Sequence, residues 1–436
     1  QIAFEICGMK EEFLYYIWQN KLLLKDPLLL ESGEMVEIIH PGVRNFESGP
    51  DFHNARIRID NIIWAGNIEI HVNSSDWFKH HHQGDLSYDN ILLHVVHQND
   101  KPVHRLDGSV IPTLVMREKY PLGYLYHYEN LLQGCHSFIP CGQQFQEVPF
   151  IYLQSWMDRV LTERLNTRFE ELEHIHKESD SRWPKSLYHL LAKSFGFKVN
   201  AVPFELLANS VPYELMIKHR HQIESLESLY YGQSGMLHTT VDDPYIDRLK
   251  KEYKYFRTKY HLKNNSPHLW KYGGLRPANF PTLRISQFSM LHFTHEYLLD
   301  KIIQTIELSD LITLFDISAT DYWYQHFRFG IASEPHIKKL GKDAILHLLI
   351  NAIIPFLFFY GKKQKLPVLC DKAIYWLEKC PPEKNKIIRS FEDIGFYITN
   401  SAQSQALLHL KKNYCDYKKC VNCSIGNYLL KNANTN

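Results

Sequence analysis

The chain has 436 residues, enough for two or three domains rather than one ordinary core. Hydrophobic residues make up 44%, charged residues 22% and aromatics 13%, the composition of a soluble globular protein with well-filled cores. A formal charge of +1 excludes a globally basic nucleic-acid binder and leaves only a local basic groove for that role.

Residues 1–8 lack the charged start and apolar run of a signal peptide, and Met9-Lys10-Glu11-Glu12 reads as a start behind an upstream extension. Residues 9–24 read as an amphipathic helix, with Phe13, Leu14, Ile17, Trp18 and Leu22 at helical spacing. A short strand, Met35 to His40, ends at Pro41-Gly42, and 45–50 is a polar turn. Asp51 to Asp60 and Ile62 to Val72 read as paired strands reversing at Asp60-Asn61. In the second of these, Ile68, Ile70 and Val72 share one face, expected to pack on the first helix. Glu69, His71 and Asn73 share the other.

Asp76 to His82 is a short helical or irregular turn, and Asn90 to His97 a strong strand. A further hairpin is expected, from Val103–Arg105 to Val110–Met116, turning at Asp107-Gly108. From Phe150 the pattern turns helical and stays so to residue 412, interrupted by a segment over 259–283 rich in Pro, Gly and Asn. The most apolar run, Ala344 to Tyr360, contains His347, Asn351 and Pro355 and reads as a buried core helix rather than a membrane span. The chain is therefore expected to be cytoplasmic, with no membrane partner. Eight cysteines in that setting point to thiols or a metal site rather than disulfides.

Asp51, Glu69 and His71 carry the candidate chemistry. Adjacent strands that each present a carboxylate can clamp Mg²⁺ or Mn²⁺, which prefer oxygen ligands. The ion lowers the pKa of a bound water and offsets phosphate charge. A third group in the position of His71 orients or deprotonates that water. Taken singly, Asp51 also suits an Asx-type turn, and Glu69 and His71 suit solvent-facing strand positions.

Pro50-Asp51, then a hairpin, then Glu69-Ile70-His71, resembles the PD-(D/E)XK nuclease superfamily. The order of elements is similar to that superfamily's αβββαβ core. His71 stands where the superfamily usually has Lys; metal binding survives that change more readily than cleavage does. A second resemblance covers nearly the whole chain. Phe13-Leu14-Tyr15-Tyr16-Ile17-Trp18, His40-Pro41-Gly42, Gly49-Pro50-Asp51-Phe52, Trp77 with its following histidines, Gly274 to Pro281 and the cysteine-bearing end carry it. Together they resemble a bacterial family known as a domain of unknown function. That implies a bacterial, soluble protein and supplies no activity.

His80 and His82, beside His71, can bind a transition metal or contact phosphate, whereas His81 in the same run is assigned to solvent. His94 and His97 lie on opposite faces of one strand and cannot both join one site. Trp77 can stack on a base or serve as core or lid. Arg276 and Asn279, in the 259–283 segment, can grip phosphate or merely cap helices. In the tail, Cys415, Cys420 and Cys423 form a C-x₄-C-x₂-C cluster suited to Zn²⁺ or an iron–sulfur cluster. It needs a fourth ligand, for which Cys141, Cys370, Cys380 and His409 are candidates.

The expected fold is α+β: a mixed α/β domain over 9–145 with a restriction-endonuclease-like αβββαβ core, a helical domain over 146–412, and a cysteine-containing tail over 413–436. The expected function is a metal-dependent nuclease cutting phosphodiester bonds in DNA or RNA, with Asp51, Glu69 and His71 catalytic. Substrate contacts are expected from Trp77, His80, His82, Arg276 and Asn279. The alternatives are a non-catalytic nucleic-acid-binding or scaffold protein, and a transition-metal enzyme built on the histidine cluster.

Overall fold

A computed structural model describes residues 9–24, 27–45, 48–133 and 138–432. The chain is α+β, with a mixed β-sheet region first and a long helical part after it. Two compact units result. The first runs to Asp158 and also takes in 393–395 and the chain from Leu408 onward; the second holds Arg159–Glu392 and Phe396–Leu407.

The first unit is built on a seven-stranded sheet of β1 (Leu28–Leu29), β2 (Met35–His40), β3 (Val43–Arg44), β4 (Phe52–Ile59), β5 (Ile62–Asn73), β6 (Ile91–Gln98) and β7 (Thr113–Val115). The order is β1-β2-β4-β5-β6-β7, with β3 beside β4. β4 runs antiparallel to β2 and β5, while β6 is parallel to β5 and β7 parallel to β6. The β4–β5 reversal falls at the expected Asp60, which takes up a left-handed conformation (φ 50°) and accepts the Met35 N–H.

Helix α1 (Glu11–Gln19) covers one face. Phe13, Leu14, Ile17 and Trp18 join Phe52, Ile57, Ile68, Ile70, Leu93 and Val95 in one core, as strand alternation requires. The helix stops earlier than residue 24 because Lys21 has positive φ and the chain turns there. The expected hairpin at 103–116 is only partly realised. His104 bridges Val110, but the strand proper, β7, pairs parallel with β6 instead. Alternation specifies which face a residue takes, not which way its neighbour runs. Helix α2 (Asp76–Lys79) and the connection from β6 to β7 cover the second sheet face through a smaller cluster of Trp77, Tyr88, Ile91, Val103 and Ile111. Helix α3 (Leu122–Gln133), not anticipated from the residue pattern, follows.

The second unit is helical apart from a two-stranded ribbon, His326–Arg328 with Ile331–Ala332. Lys342–Lys363 is long and apolar enough to cross a membrane by length and composition, yet 72% of its most apolar window is buried inside the protein. It is a core helix of the second unit.

Candidate functional site

The face of β5 opposite α1 carries Glu69 and His71, and the same face of β6 carries His94. In the parallel register Glu69 stands beside His94. All three are buried, because Trp77, Tyr88 and their neighbours roof this face. His80 and His82 come from the turn after α2. His81 between them has φ 62°, a left-handed conformation uncommon for residues other than glycine. In this turn both neighbours of His81 reach His71: the His80 ring centroid lies 5.0 Å and the His82 centroid 5.4 Å from that of His71. His82 is also stacked on Tyr88, with centroids 3.8 Å apart.

The nitrogens and one carboxylate oxygen converge. His71 Nε2 lies 3.1 Å from His80 Nδ1 and 3.6 Å from Glu69 Oε1, and His82 Nε2 lies 3.3 Å from the same oxygen. His71, His80 and His82 each bring a ligand atom within 4.8 Å of the others. Four ligands about 2.05 Å from a tetrahedral ion stand roughly 3.3 Å from one another, so the three separations His71–His80, His71–Glu69 and His82–Glu69 are those of neighbouring ligands in a coordination shell. His71 is buried, His82 half-buried and His80 exposed, so the cluster opens to solvent on the His80 side.

Asp51 flanks the cluster. Its Oδ1 pairs with Arg44 at 2.7 Å and its Oδ2 accepts the Ile70 N–H at 2.9 Å. Its own N–H donates to Glu69 Oε2 at 3.0 Å, which leaves Glu69 Oε1 aimed at the histidines. A β-bulge at Asn54 (φ 57°) shifts the β4–β5 register beside these residues. Arg44 also lies over the Tyr15 ring at 3.7 Å, and the Tyr15 hydroxyl donates to Glu11. Arg44, Tyr15, Glu11 and Tyr88 were not singled out as site residues by sequence, and His94 was named in the histidine cluster without being assigned to the site. Glu11 and Tyr15 had one available signal, their i, i+4 spacing beside the apolar stripe.

Electrostatics favour a cation. Burial, then the neighbouring charge of Asp51, raises the Glu69 carboxyl to about 9. Burial and Asp51 likewise lift Glu11 to about 7. Burial, with His94, His82 and His80 adding to it, pushes His71 down to about 2, and burial brings His94 to about 3. Both imidazoles are therefore neutral at physiological pH, the form a metal needs.

The proton positions follow from the contacts. His71 Nδ1 lies 2.9 Å from His94 Nε2, and His94 Nδ1 is buried with no partner. A bare buried nitrogen is less costly than a bare buried N–H. Without an ion, His94 Nε2–H therefore donates to His71 Nδ1, and His71 Nε2–H donates to His80 Nδ1. An ion at His71 Nε2 reverses both tautomers, and His71 Nδ1–H then donates to His94.

Of the other expected site residues, Trp77 is buried in the roof rather than presented as an open stacking surface. Arg276 and Asn279 belong to the second unit; Asn279 accepts from Arg284 at 2.6 Å. His97 lies on the α1 side of β6 and meets the Tyr120 hydroxyl at 3.4 Å. In the tail, Cys415, Cys420 and Cys423 are joined by Cys141 around one small cavity. Cys370 and Cys380 belong to the second unit. His409 is bonded to Asn413 at 2.9 Å and is not among the residues lining that cavity.

Fold and cluster together define a two-unit α+β protein with a histidine–carboxylate centre in its sheet-bearing unit. The family described as "Protein of unknown function (DUF2851)" matches residues 11–386, and the chain belongs to that family. No curated protein and no solved structure matches it. The matched span contains the whole histidine–carboxylate cluster and Cys141 and ends before Cys415.

Proposed function

We propose that this protein is a metal-dependent hydrolase of phosphodiester bonds in nucleic acid. Its ion is a divalent transition metal, Zn²⁺ or Mn²⁺, held by His71, His80, His82 and Glu69. The observation that carries the reading is the grouping of His71, His80 and His82 ligand atoms within 4.8 Å of one another, with Glu69 Oε1 3.6 Å from His71 Nε2 and 3.3 Å from His82 Nε2. Imidazole suits such metals, whereas Mg²⁺ prefers an all-oxygen shell. The exposed His80 side leaves a route for water and substrate, and a bound water would have its pKa lowered to about 7. Asp51, next to Glu69, would orient that water. The phosphodiester half rests on the order helix, three antiparallel strands, short helix, parallel strand, which follows the αβββαβ order of PD-(D/E)XK nucleases.

A second reading places Mg²⁺ between Asp51 and Glu69 with His71 as general base. The adjacency of the two carboxylates favours it. An imidazole at about 2 is a poor proton acceptor at neutral pH, however, and serves better as a ligand.

The test is cleavage of single- and double-stranded DNA and RNA by protein loaded with Zn²⁺, Mn²⁺ or Mg²⁺. Activity with Zn²⁺ or Mn²⁺, abolished in His80→Ala and Glu69→Gln, is the expected result. Activity with Mg²⁺ alone, retained in His80→Ala, would favour the second reading. A loaded protein inert on every substrate would remove the hydrolase half and leave the metal half standing.

A further inference from the structure

We propose that Cys141, Cys415, Cys420 and Cys423 form a four-thiolate site for a single Zn²⁺, separate from the histidine cluster, that fastens the C-terminal segment within the first unit. The site brings together parts of the chain remote in sequence. Cys141 lies in a turn just before the helix Phe150–Glu178, where its carbonyl accepts the N–H groups of Gln144 and Phe145. Cys415 closes a wide helical turn, Cys420 opens a short 3₁₀ turn, and Cys423 directly precedes the last helix, Ser424–Asn432. All four line one cavity of about 20 Å³. Cys141, Cys420 and Cys423 are buried and Cys415 half-buried. Cys415 lies within electrostatic reach of the other three.

The backbone is shaped to this cluster. A Cβ on Gly426 would stand 2.2 Å from the Cys420 carbonyl oxygen, so only glycine lets the last helix approach the Cys420 turn this closely. Four thiolates around Zn²⁺ leave a net charge of −2, which Lys419 at the cavity offsets in part.

The ligand set selects the occupant. Four cysteine sulfurs are a common structural ligand set for a single Zn²⁺, each about 2.3 Å from the ion.

The experiment uses the full chain, dialysed against a weak chelator and analysed for metals. One zinc per chain should survive dialysis and remain in His80→Ala/His82→Ala protein. It should be lost in Cys420→Ser and in Gly426→Ala. Because those variants can fold poorly, the wild-type chain is also prepared with Co²⁺. Intense near-ultraviolet thiolate-to-cobalt absorption is expected. Wild-type protein without tightly held metal, iron with acid-labile sulfide in place of zinc, or a cobalt protein lacking that absorption would each overturn the proposal.

Discussion

Metal binding at the histidine cluster should release close to one proton at neutral pH, and the proton should come from Glu69. Glu69 is raised to about 9 in the metal-free protein, so at pH 7 it is about 99% protonated. Binding an ion requires the carboxylate. His71, held at about 2, has no proton to lose, and burial also keeps His82 below its ordinary value. Apparent affinity should therefore rise about tenfold, or about 1.4 kcal/mol, per pH unit between about pH 6.5 and 8.5, and level off near 9. Calorimetric titration with Zn²⁺ in two buffers of different protonation enthalpy gives the proton count directly. Subtracting the same titration of His80→Ala/His82→Ala protein removes any contribution from the cysteines. Glu69→Gln should bind more weakly and release no proton. An affinity independent of pH over that range, with no proton released by the wild type, would refute the reasoning.

Replacing His94 by Gln should protect the metal-free protein against acid. The folded pKa of His94 is depressed, so the unfolded chain takes up the proton first; its stabilising contribution is complete above about 6.5 and lost as pH falls toward about 3. Chemical denaturation at about pH 6.5 and 5 should show a wild-type loss from this group of up to about 2 kcal/mol that the variant lacks. Ile70→Ala, at a fully buried position between β5 and α1, should cost about 3 kcal/mol of stability with metal-site spacing unchanged. Arg44→Ala removes the partner of Asp51 and a charge that holds Glu69 down. It should cost about 2 kcal/mol, less than a fully buried pair, and weaken metal binding at neutral pH. Imidazole ¹⁵N spectra should show the His71 proton move from Nε2 to Nδ1 when the ion binds.

Much of the first unit was legible because β5 alternates over Ile68 to Val72. The pattern put Ile68 and Ile70 on α1 and Glu69 and His71 together on the other face. It did not reveal that the polar face is roofed. Period-2 alternation separates two faces, but the roof is built by Trp77, Tyr88, Val103 and Ile111, whose approach depends on tertiary folding. The parallel placement of β7 was hidden for the same reason. The run of three histidines pointed to His80 and His82, with His81 assigned to solvent; the left-handed backbone at His81 accompanies the approach of both neighbours to His71. Arg44 stayed invisible because a two-residue strand gives no periodic signal. Cys141 was one of four candidate partners for the tail cysteines, and only the folded chain separates it from the others.

The most direct test of the proposed metal centre is anomalous X-ray scattering from crystals of the full chain grown with Zn²⁺, recorded on both sides of the zinc edge. One peak is predicted about 2.1 Å from each of His71 Nε2, His80 Nδ1, His82 Nε2 and Glu69 Oε1. A zinc-supplied crystal with no anomalous peak among those four atoms would contradict it.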